Sequence, residues 1–450
     1  TNLLRSTISG RIEFWQKLKK WYKIEIQAAS EEEESDKNEL AGTNSGIISS
    51  HNNYGKKNML QTINKSLITI TAFSMLLSST ASNSAPRIIP KAPTVIASSH
   101  ILIDFDSGKV ITEFNQKEHL APASLTKIMT SYAVFSELKQ GHIQLSDEVT
   151  ISKKAWQTGG SKMFIEVGKK ISVEKLLKGM IISSGNDASV ALAEHIGGAE
   201  ETFAELMNQY AEILGMHNSN FQNATGMPAS NHYSSAEDMA ILAQALIRDF
   251  PEFYKIYSER EFVFGKELKS GKPIKQSNRN KLLWLDDSVD GLKTGYTKAA
   301  GYCLVSSAKK DGMRLISAVF GADSVEARAR ESQKLLNFGF RFYETEPVTE
   351  PGKTLSTLRV WKGDKTEIRA GVVAQKIMTL GRNQFKDIKS EITLTNELLE
   401  APISEGDVIG SVSYSVDGAE IYSAPLVALE SVESGSIWNN LIDSVKLWFE

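Results

Sequence analysis

Residues 121–135 read APASLTKIMTSYAVF, and the reading of this stretch decides the fold. Leu125, Ile128, Met129, Tyr132 and Phe135, continued by Leu138, recur at helical spacing. Ser124 stands at the mouth of that helix, and Lys127, three places on, shares its face within reach of the hydroxyl. A free serine is a poor nucleophile. A lysine can act as its base when it is desolvated or set beside another cation, so that part of it is neutral at working pH. A helix start also aims free backbone N–H groups at a developing oxyanion. The spacing by itself is common, since S-x-x-K occurs again at Ser136, Ser172 and Ser307.

Two further stretches single out Ser124. SSGNDAS supplies Ser184-Gly185-Asn186 between two helical patterns, one carried by Leu176, Leu177, Met180 and Ile181, the other by Val190, Leu192 and Ile196. VDGLKTGYTKAAGYCLV supplies Lys293-Thr294-Gly295 at the start of a strand, the only KTG in the chain. Taken singly, the first reads as a helix-joining turn and the second as an exposed strand lysine. The three together, in this order, form the motif set of penicillin-binding proteins and class A β-lactamases.

From about residue 95 onward the chain resembles the low-molecular-mass penicillin-binding proteins, the serine-type D-alanyl-D-alanine carboxypeptidases of the peptidase S11 family. Besides SLTK, SGN and KTG, the resemblance rests on ILIDFDSGKV, YSSAEDMAILAQALIRD, SNRNKLLW and RLISAVFGADS. It implies an α/β (α+β) catalytic domain of the β-lactamase/transpeptidase type, a small C-terminal β-sandwich and an amphipathic membrane-anchoring tail. It also implies that Ser124 attacks the penultimate D-alanine carbonyl of a peptidoglycan stem while Lys127 takes its proton. Ser184 would relay a proton to the leaving amine, and Asn186 would hold the substrate carbonyl and Lys127 in register. Lys293 would keep Lys127 partly neutral and attract the terminal carboxylate, and Thr294 would hydrogen-bond it. Gly295 would leave space for a peptide paired along the strand edge. The amides of Ser124 and Tyr296 would form the oxyanion hole. β-Lactams would act as inhibitors by acylating Ser124, and no cofactor is implied.

Departures from the family pattern are visible. Tyr296 stands where close relatives often have histidine, and WQTGGSKMFIEVG (156–168) is shorter than in well-known members, which bears on access to the site. Arg328 matches a family arginine near the carboxylate end of the site, though a surface ion pair would give the same spacing. Arg279 is read as structural and Cys303 as a small buried hydrophobe. The catalytic segment holds no Glu-x-x-Leu-Asn of the kind a β-lactamase uses for deacylation. The intact motif set argues against a penicillin-binding scaffold with little turnover. A DD-endopeptidase would use the same residues.

The 450 residues, 41% hydrophobic and 23% charged, suffice for two folded domains. A net charge of −3 and the lack of a broad basic stripe give no reason to expect nucleic acid. One cysteine excludes an internal disulfide, and the seven histidines include no HExxH or similar ligand spacing, so no metal is expected. VIASSHILIDFDSGKVITEF (95–114) reads as a hairpin around Asp106-Ser107-Gly108, and strands return at GYCLVSSA and MRLISAVFG before a helix from Ala327 to Phe338. A helix opens at SSAEDMAILAQALI, with Ser234 and Glu237 spaced as a capping box. This mixture predicts an antiparallel sheet with helices around it over 86–346.

Prolines and glutamates at 345–352 predict a linker, and SVSYSVDGAEIYSA predicts a hairpin about Asp417-Gly418 within a β-sandwich over 347–430. In residues 431–450, Ile437, Leu441, Val445 and Trp448 share a helical stripe, widened by Trp438 and Phe449. Such a helix lies in a membrane interface or docks on its own protein; the resemblance favours the membrane. Upstream, KKNMLQTINKSLITITAFSMLLSSTASNSAP (56–86) has the basic, apolar and small-residue order of a signal peptide, read over 59–85 with cleavage near Ala81. Export to the periplasmic face of the cytoplasmic membrane is therefore expected. Residues 1–58 precede the first methionine, Met59, and read as a disordered or mis-assigned extension.

Overall fold

The computed structural model describes residues 89–266 and 271–447. The signal-like segment 59–85, the leading residues 1–58, Trp448 and Phe449 lie outside the described residues.

The predicted hairpin forms β1 (Ser99–Asp104) and β2 (Val110–Phe114). Buried Asp104 closes its turn, accepting from the Asp106 and Ser107 amides and the Ser107 hydroxyl at 2.8–3.1 Å. Five main helices follow: α1 (Thr126–Gln140), α2 (Val173–Ile182), α3 (Asn186–Gly197), α4 (Glu200–Leu214) and α5 (Ala236–Asp249). Between them, β3 (Glu148–Thr150) and β4 (Lys170–Ser172) make a short ribbon, and β5 (Glu261–Lys266) and β6 (Pro273–Ser277) make another. The N-cap of α5 is Ser235, whose hydroxyl accepts from the Asp238 amide, rather than Ser234. Ser234 instead meets the Ser219 hydroxyl at 2.7 Å. Helix α5 thus starts one residue later than the capping-box spacing suggested.

Strands β7 (Val289–Thr297), β8 (Gly301–Lys310) and β9 (Met313–Ala322) join the first hairpin in an antiparallel sheet of order β2-β1-β9-β8-β7. Helix α6 (Val325–Phe342), capped by Ser324, covers one face, and the helical block covers the other. Side chains alternate between the two cores, as strand geometry requires. Ile101 and Ile103 enter the helical block and Leu102 the α6 side; in β9, Ile316, Ala318 and Phe320 face the block and Leu315 and Val319 face α6. A sheet buried on both faces explains why these strands read as unbroken apolar runs. Its arrangement leaves β7 at an edge, beside the turn that precedes α1.

The C-terminal part consists of β10 (Tyr343–Thr349), β11 (Ser356–Trp361), β12 (Glu367–Gly371), β13 (Lys376–Gly381), β14 (Lys389–Leu394), β15 (Leu399–Glu400), β16 (Val408–Val416) and β17 (Ala419–Ala428). Six of them form the sheet β14-β16-β17-β12-β11-β15 over two small apolar cores, and the β16/β17 hairpin turns at Asp417-Gly418 as expected. The stretch expected to be a linker is instead strand β10 up to Thr349, continuous with α6 and paired with β13. A two-stranded ribbon tolerates Pro347, and the register shifts just after it. At this junction the Thr345 hydroxyl donates to Asp104 Oδ2 at 2.7 Å, and the Thr379 hydroxyl lies 2.6 Å from Ser107 Oγ. One buried carboxylate therefore ties the first hairpin to the C-terminal ribbon.

The tail also begins later than residue 431. Val432 bridges to Ile403 and Ser434 to Gly363, so these residues belong with the sheet. Helix α7 (Ile437–Leu447) follows.

Candidate active site

Ser124 lies in a 3₁₀ turn, Ala123–Leu125, that leads directly into α1. Ala123 has a φ of 47°, in the left-handed region, a strain of about 1–3 kcal/mol for a residue with a Cβ. Two glycines let neighbouring backbone close on this turn. At Gly226, with φ 81°, a Cβ would stand 1.8 Å from the Ala123 carbonyl oxygen; at Gly295 it would stand 3.0 Å from the Pro122 oxygen and 3.2 Å from the Ala123 methyl. Glycine at 295 thus lets the serine turn pack closely against β7.

Lys127 is fully buried, and its amine donates to three oxygens: Ser124 Oγ at 3.0 Å, Asn186 Oδ1 at 2.7 Å and the Thr225 carbonyl at 2.6 Å. Two of these groups can only accept, whereas the serine hydroxyl can also donate. A neutral amine keeps two N–H bonds for the carbonyls and turns its lone pair to the hydroxyl. Burial, and then the Arg279 guanidinium, bring the Lys127 ammonium down to about 7, against the opposing pull of Asp187 and Glu200. Arg279 was read as structural from the sequence; it is the neighbouring cation that acts on Lys127. Its Nε donates to the Ser183 carbonyl at 3.1 Å, at the entry to the SGN loop. The residue is partly exposed, so its field is partly screened and burial remains the main cause.

The SGN loop joins α2 to α3. Ser184 is buried with φ 62°, and Asn186 is the first residue of α3. The Asn186 side-chain amide donates to the Gly159 carbonyl at 2.8 Å, which fixes its oxygen toward Lys127. Asp187, which the motif reading passed over, is buried and accepts from the amides of Met163, Phe164 and Ile165 at 2.8, 2.9 and 3.3 Å. The 156–168 loop is therefore strapped to the SGN segment.

On β7, Lys293 and Thr294 are buried, and the Lys293 amine donates to the Thr294 carbonyl at 3.1 Å. Burial, then Lys127, Arg279 and Arg328, hold the Lys293 ammonium well below the usual lysine range. Lys293 and Gly295 pair with Val305 and Cys303, which pack in the helix-side core. Tyr296 is about half exposed, and its ring lies 4.3 Å from that of Tyr302. Arg328 is buried: it donates to the Gly295 carbonyl at 3.0 Å and lies over the Tyr302 ring. It makes no surface ion pair among the described residues. Cys303 packs as a small hydrophobe, with burial pushing its thiol up to about 11.

The loop holding Thr225 was also missed. Asn223 Oδ1 accepts from the amides of Thr225 and Gly226, which turns the Thr225 carbonyl onto Lys127. His232 supports the same wall: its Nδ1 accepts from the Gln222 amide, so its Nε2–H donates to Thr126 Oγ1 at 2.9 Å. Burial lowers this imidazole to about 4, keeping it neutral.

A half-buried serine beside a buried lysine, an SGN loop and a KTG edge strand on an antiparallel sheet define a serine acyl-transfer fold of the penicillin-binding type. Residues 87–324 match the D-alanyl-D-alanine carboxypeptidase family, and residues 343–434 match the C-terminal domain of penicillin-binding protein 5. The chain belongs to the D-alanyl-D-alanine carboxypeptidase family. It is 45% identical to D-alanyl-D-alanine carboxypeptidase DacC of Escherichia coli over 386 residues, 84% of this chain and 94% of that one. To DacA of the same organism it is 43% identical over 370 residues, 80% of this chain and 90% of the other. Penicillin-binding protein 5 of Haemophilus influenzae superposes with a TM-score of 0.68 at 44% identity, covering 77% of this chain and all of that one.

Gly226→Ala tests the packing of the serine turn. The added methyl would displace the Ala123 carbonyl, and destabilisation of about 3 kcal/mol or more is expected, with loss of covalent labelling by a fluorescent penicillin. A thermal midpoint equal to the parent's would contradict the close packing.

Proposed function

We propose that Ser124 is the nucleophile with which this enzyme removes the terminal D-alanine from peptidoglycan stem pentapeptides. The observation that carries this reading is the Lys127 amine, 3.0 Å from Ser124 Oγ with its other two contacts to carbonyl oxygens. Ser124 Oγ adds to the penultimate carbonyl as its proton passes to Lys127. The oxyanion forms against the amides of Ser124 and Tyr296. The bond to the leaving D-alanine then breaks, and its nitrogen takes a proton from Lys127 through Ser184. Water enters, gives a proton back to Lys127 and hydrolyses the ester, which restores the Ser124 hydroxyl. Asn186 keeps Lys127 aligned throughout. Lys293 and Thr294 receive the terminal carboxylate, and Arg328 steadies β7 through the Gly295 carbonyl.

The two buried amines give substrate binding an electrostatic consequence. A carboxylate arriving at Lys293 favours the ammonium form there, an ion pair that offsets the cost of charging a buried amine.

We further propose export through the 59–85 segment and peripheral attachment to the periplasmic face of the cytoplasmic membrane. No helix among the described residues is long and apolar enough to cross a membrane. Helix α7 exposes Ile437, Trp438, Leu441, Ile442 and Val445, while Asp443 accepts from the Lys362 amide at 3.0 Å. Its polar edge docks on the sheet and its apolar side faces out, an arrangement suited to an interface.

Three outcomes are expected. Residues 86–435 should release D-alanine from a peptide ending in D-Ala-D-Ala, and Ser124→Ala should reduce release at least about 1000-fold, as loss of a covalent nucleophile does. Equal release by both would refute the assignment, and cleavage of crosslinked dimers to monomers without D-alanine release would favour the endopeptidase. Acylation by penicillin should rise with pH through about 7, because Lys127 is an ammonium below that value and a free amine above it. Arg279→Gln removes a repelling cation, so the midpoint should move up by about half a pH unit; an unchanged or lowered midpoint would exclude that coupling. Finally, a chain ending at Gly435 should remain in the supernatant when the full chain sediments with anionic vesicles, and sedimentation of both would refute the anchor.

A further inference from the structure

Strand β7 changes face just before its lysine. In a regular strand, residues two apart share a face. Val289 packs in the core under α6, yet at Gly291 a Cβ would stand 2.6 Å from the hydroxyl of Tyr254, a residue of the helical block. The pairing with β8 explains the switch: Val289 lies opposite Ala308 and Gly291 opposite Ser307, so Asp290 is an extra residue, a bulge. Beyond it Lys293 pairs with Val305 and Gly295 with Cys303, both of which pack against the block that includes α1. A slip of one residue in pairing turns every later side chain to the other face. Without the bulge, Lys293 would point toward α6 and away from Lys127.

The bulged residue is held from two sides. Asp290 Oδ1 accepts from the Tyr254 hydroxyl at 2.6 Å and from Arg314 Nη1 at 2.8 Å, and its Oδ2 accepts from Arg314 Nη2 at 2.7 Å. Arg314 stands on β9, and its Nη1 also donates to Ser307 Oγ on β8, so one guanidinium reaches across three strands. It lies between the Phe105 and Tyr254 rings, 5.9 and 5.6 Å from their centres. Burial, and then Asp290, hold the Tyr254 phenol well above its usual range, so it stays a donor. Just past the bulge, the Gly291 carbonyl accepts from the buried Asn280 side chain at 3.2 Å. A two-pronged arginine–carboxylate contact fixes direction as well as distance. None of these side chains has a part in the reaction scheme.

We propose that Asp290, Arg314 and Tyr254 are positioning residues that lock the β7 bulge and so aim Lys293 at the carboxylate of the substrate. Selectivity for a free C-terminal carboxylate is then set by a cluster three residues upstream of the lysine that receives it. This inference rests on the carboxypeptidase reading, which puts that carboxylate at Lys293.

The test compares a blocked tripeptide ending in D-Ala-D-Ala with the same peptide carrying a C-terminal amide. Asp290→Ala/Arg314→Met removes both charges together, so that neither is left buried and unpaired, and Tyr254→Phe removes one hydroxyl only. The parent should cleave the acid with a kcat/KM at least about tenfold above the amide, and the double variant should lose most of that preference. The loss should fall on KM for the acid, with kcat held within about threefold, and Tyr254→Phe should show the same split at about a third of the size. A purely structural role would lower the thermal midpoint and leave the ratio of the two substrates alone. An unchanged ratio in the double variant, equal losses on acid and amide, or a parent without preference would overturn the proposal. A second measurement needs no turnover: calorimetry in a Ser124→Ala background, where the acid peptide should bind about tenfold tighter than the amide and adding the double change should bring the two Kd values within about twofold. A retained difference there would also overturn it. Failure of the carboxypeptidase reading would show separately, as no release of D-alanine by the parent, and the calorimetry would still decide the role of the bulge.

Discussion

The site depends on the burial of one amine. Lys127 sits at the floor of the fold with no access to water, and its three partners are a hydroxyl, a side-chain carbonyl and a main-chain carbonyl. No carboxylate hydrogen-bonds to it. A buried lysine without an ion pair is costly as a cation, and burial accordingly brings its ammonium down to about 7. Much of the surrounding architecture keeps those three acceptors in place. Asn186 is oriented by Gly159, the Thr225 carbonyl by Asn223, and Ser124 by the turn between Gly226 and Gly295.

Three separate regions therefore converge through backbone packing more than through side-chain chemistry. The serine turn approaches β7 because residue 295 has no Cβ, and it approaches the 222–228 loop because residue 226 has none. Asp187 then draws the 161–165 segment over the SGN loop with three amide bonds. Such charge-assisted contacts from a buried carboxylate are stronger than neutral ones, and they add to the apolar anchors Met163 and Ile165, both buried in the helix-side core.

Much of this was legible locally. The α1 stripe, the first hairpin and the Asp417-Gly418 turn follow from periodicity and turn chemistry, and Ser124 and Lys127 meet because three residues make nearly one turn. The remainder depends on contacts remote in sequence. A main-chain carbonyl such as that of Thr225 carries no side-chain signature. Arg279 acts through space, and its neighbours in SNRN look like turn residues. Asp187 stood beside a motif that drew attention to its predecessor. The packing of Gly295 against Pro122 and Ala123 was not legible, since sequence does not reveal which neighbour needs the space. The segment at 345–352 reads as a linker by composition, yet Pro347 fits a two-stranded ribbon where few ladder bonds are at stake.

The position of β7 has a consequence for the protein in a crowded compartment. An edge strand offers unpaired amides and carbonyls to any extended chain, including another copy of itself. Here that edge carries Lys293, a lysine turned inward, and is flanked by the turn that leads into α1. An inward lysine is among the devices that discourage strands from joining edge to edge. The residue that would greet a substrate's carboxylate is thus also a guard against aggregation, admitting a short anionic peptide and opposing a hydrophobic strand.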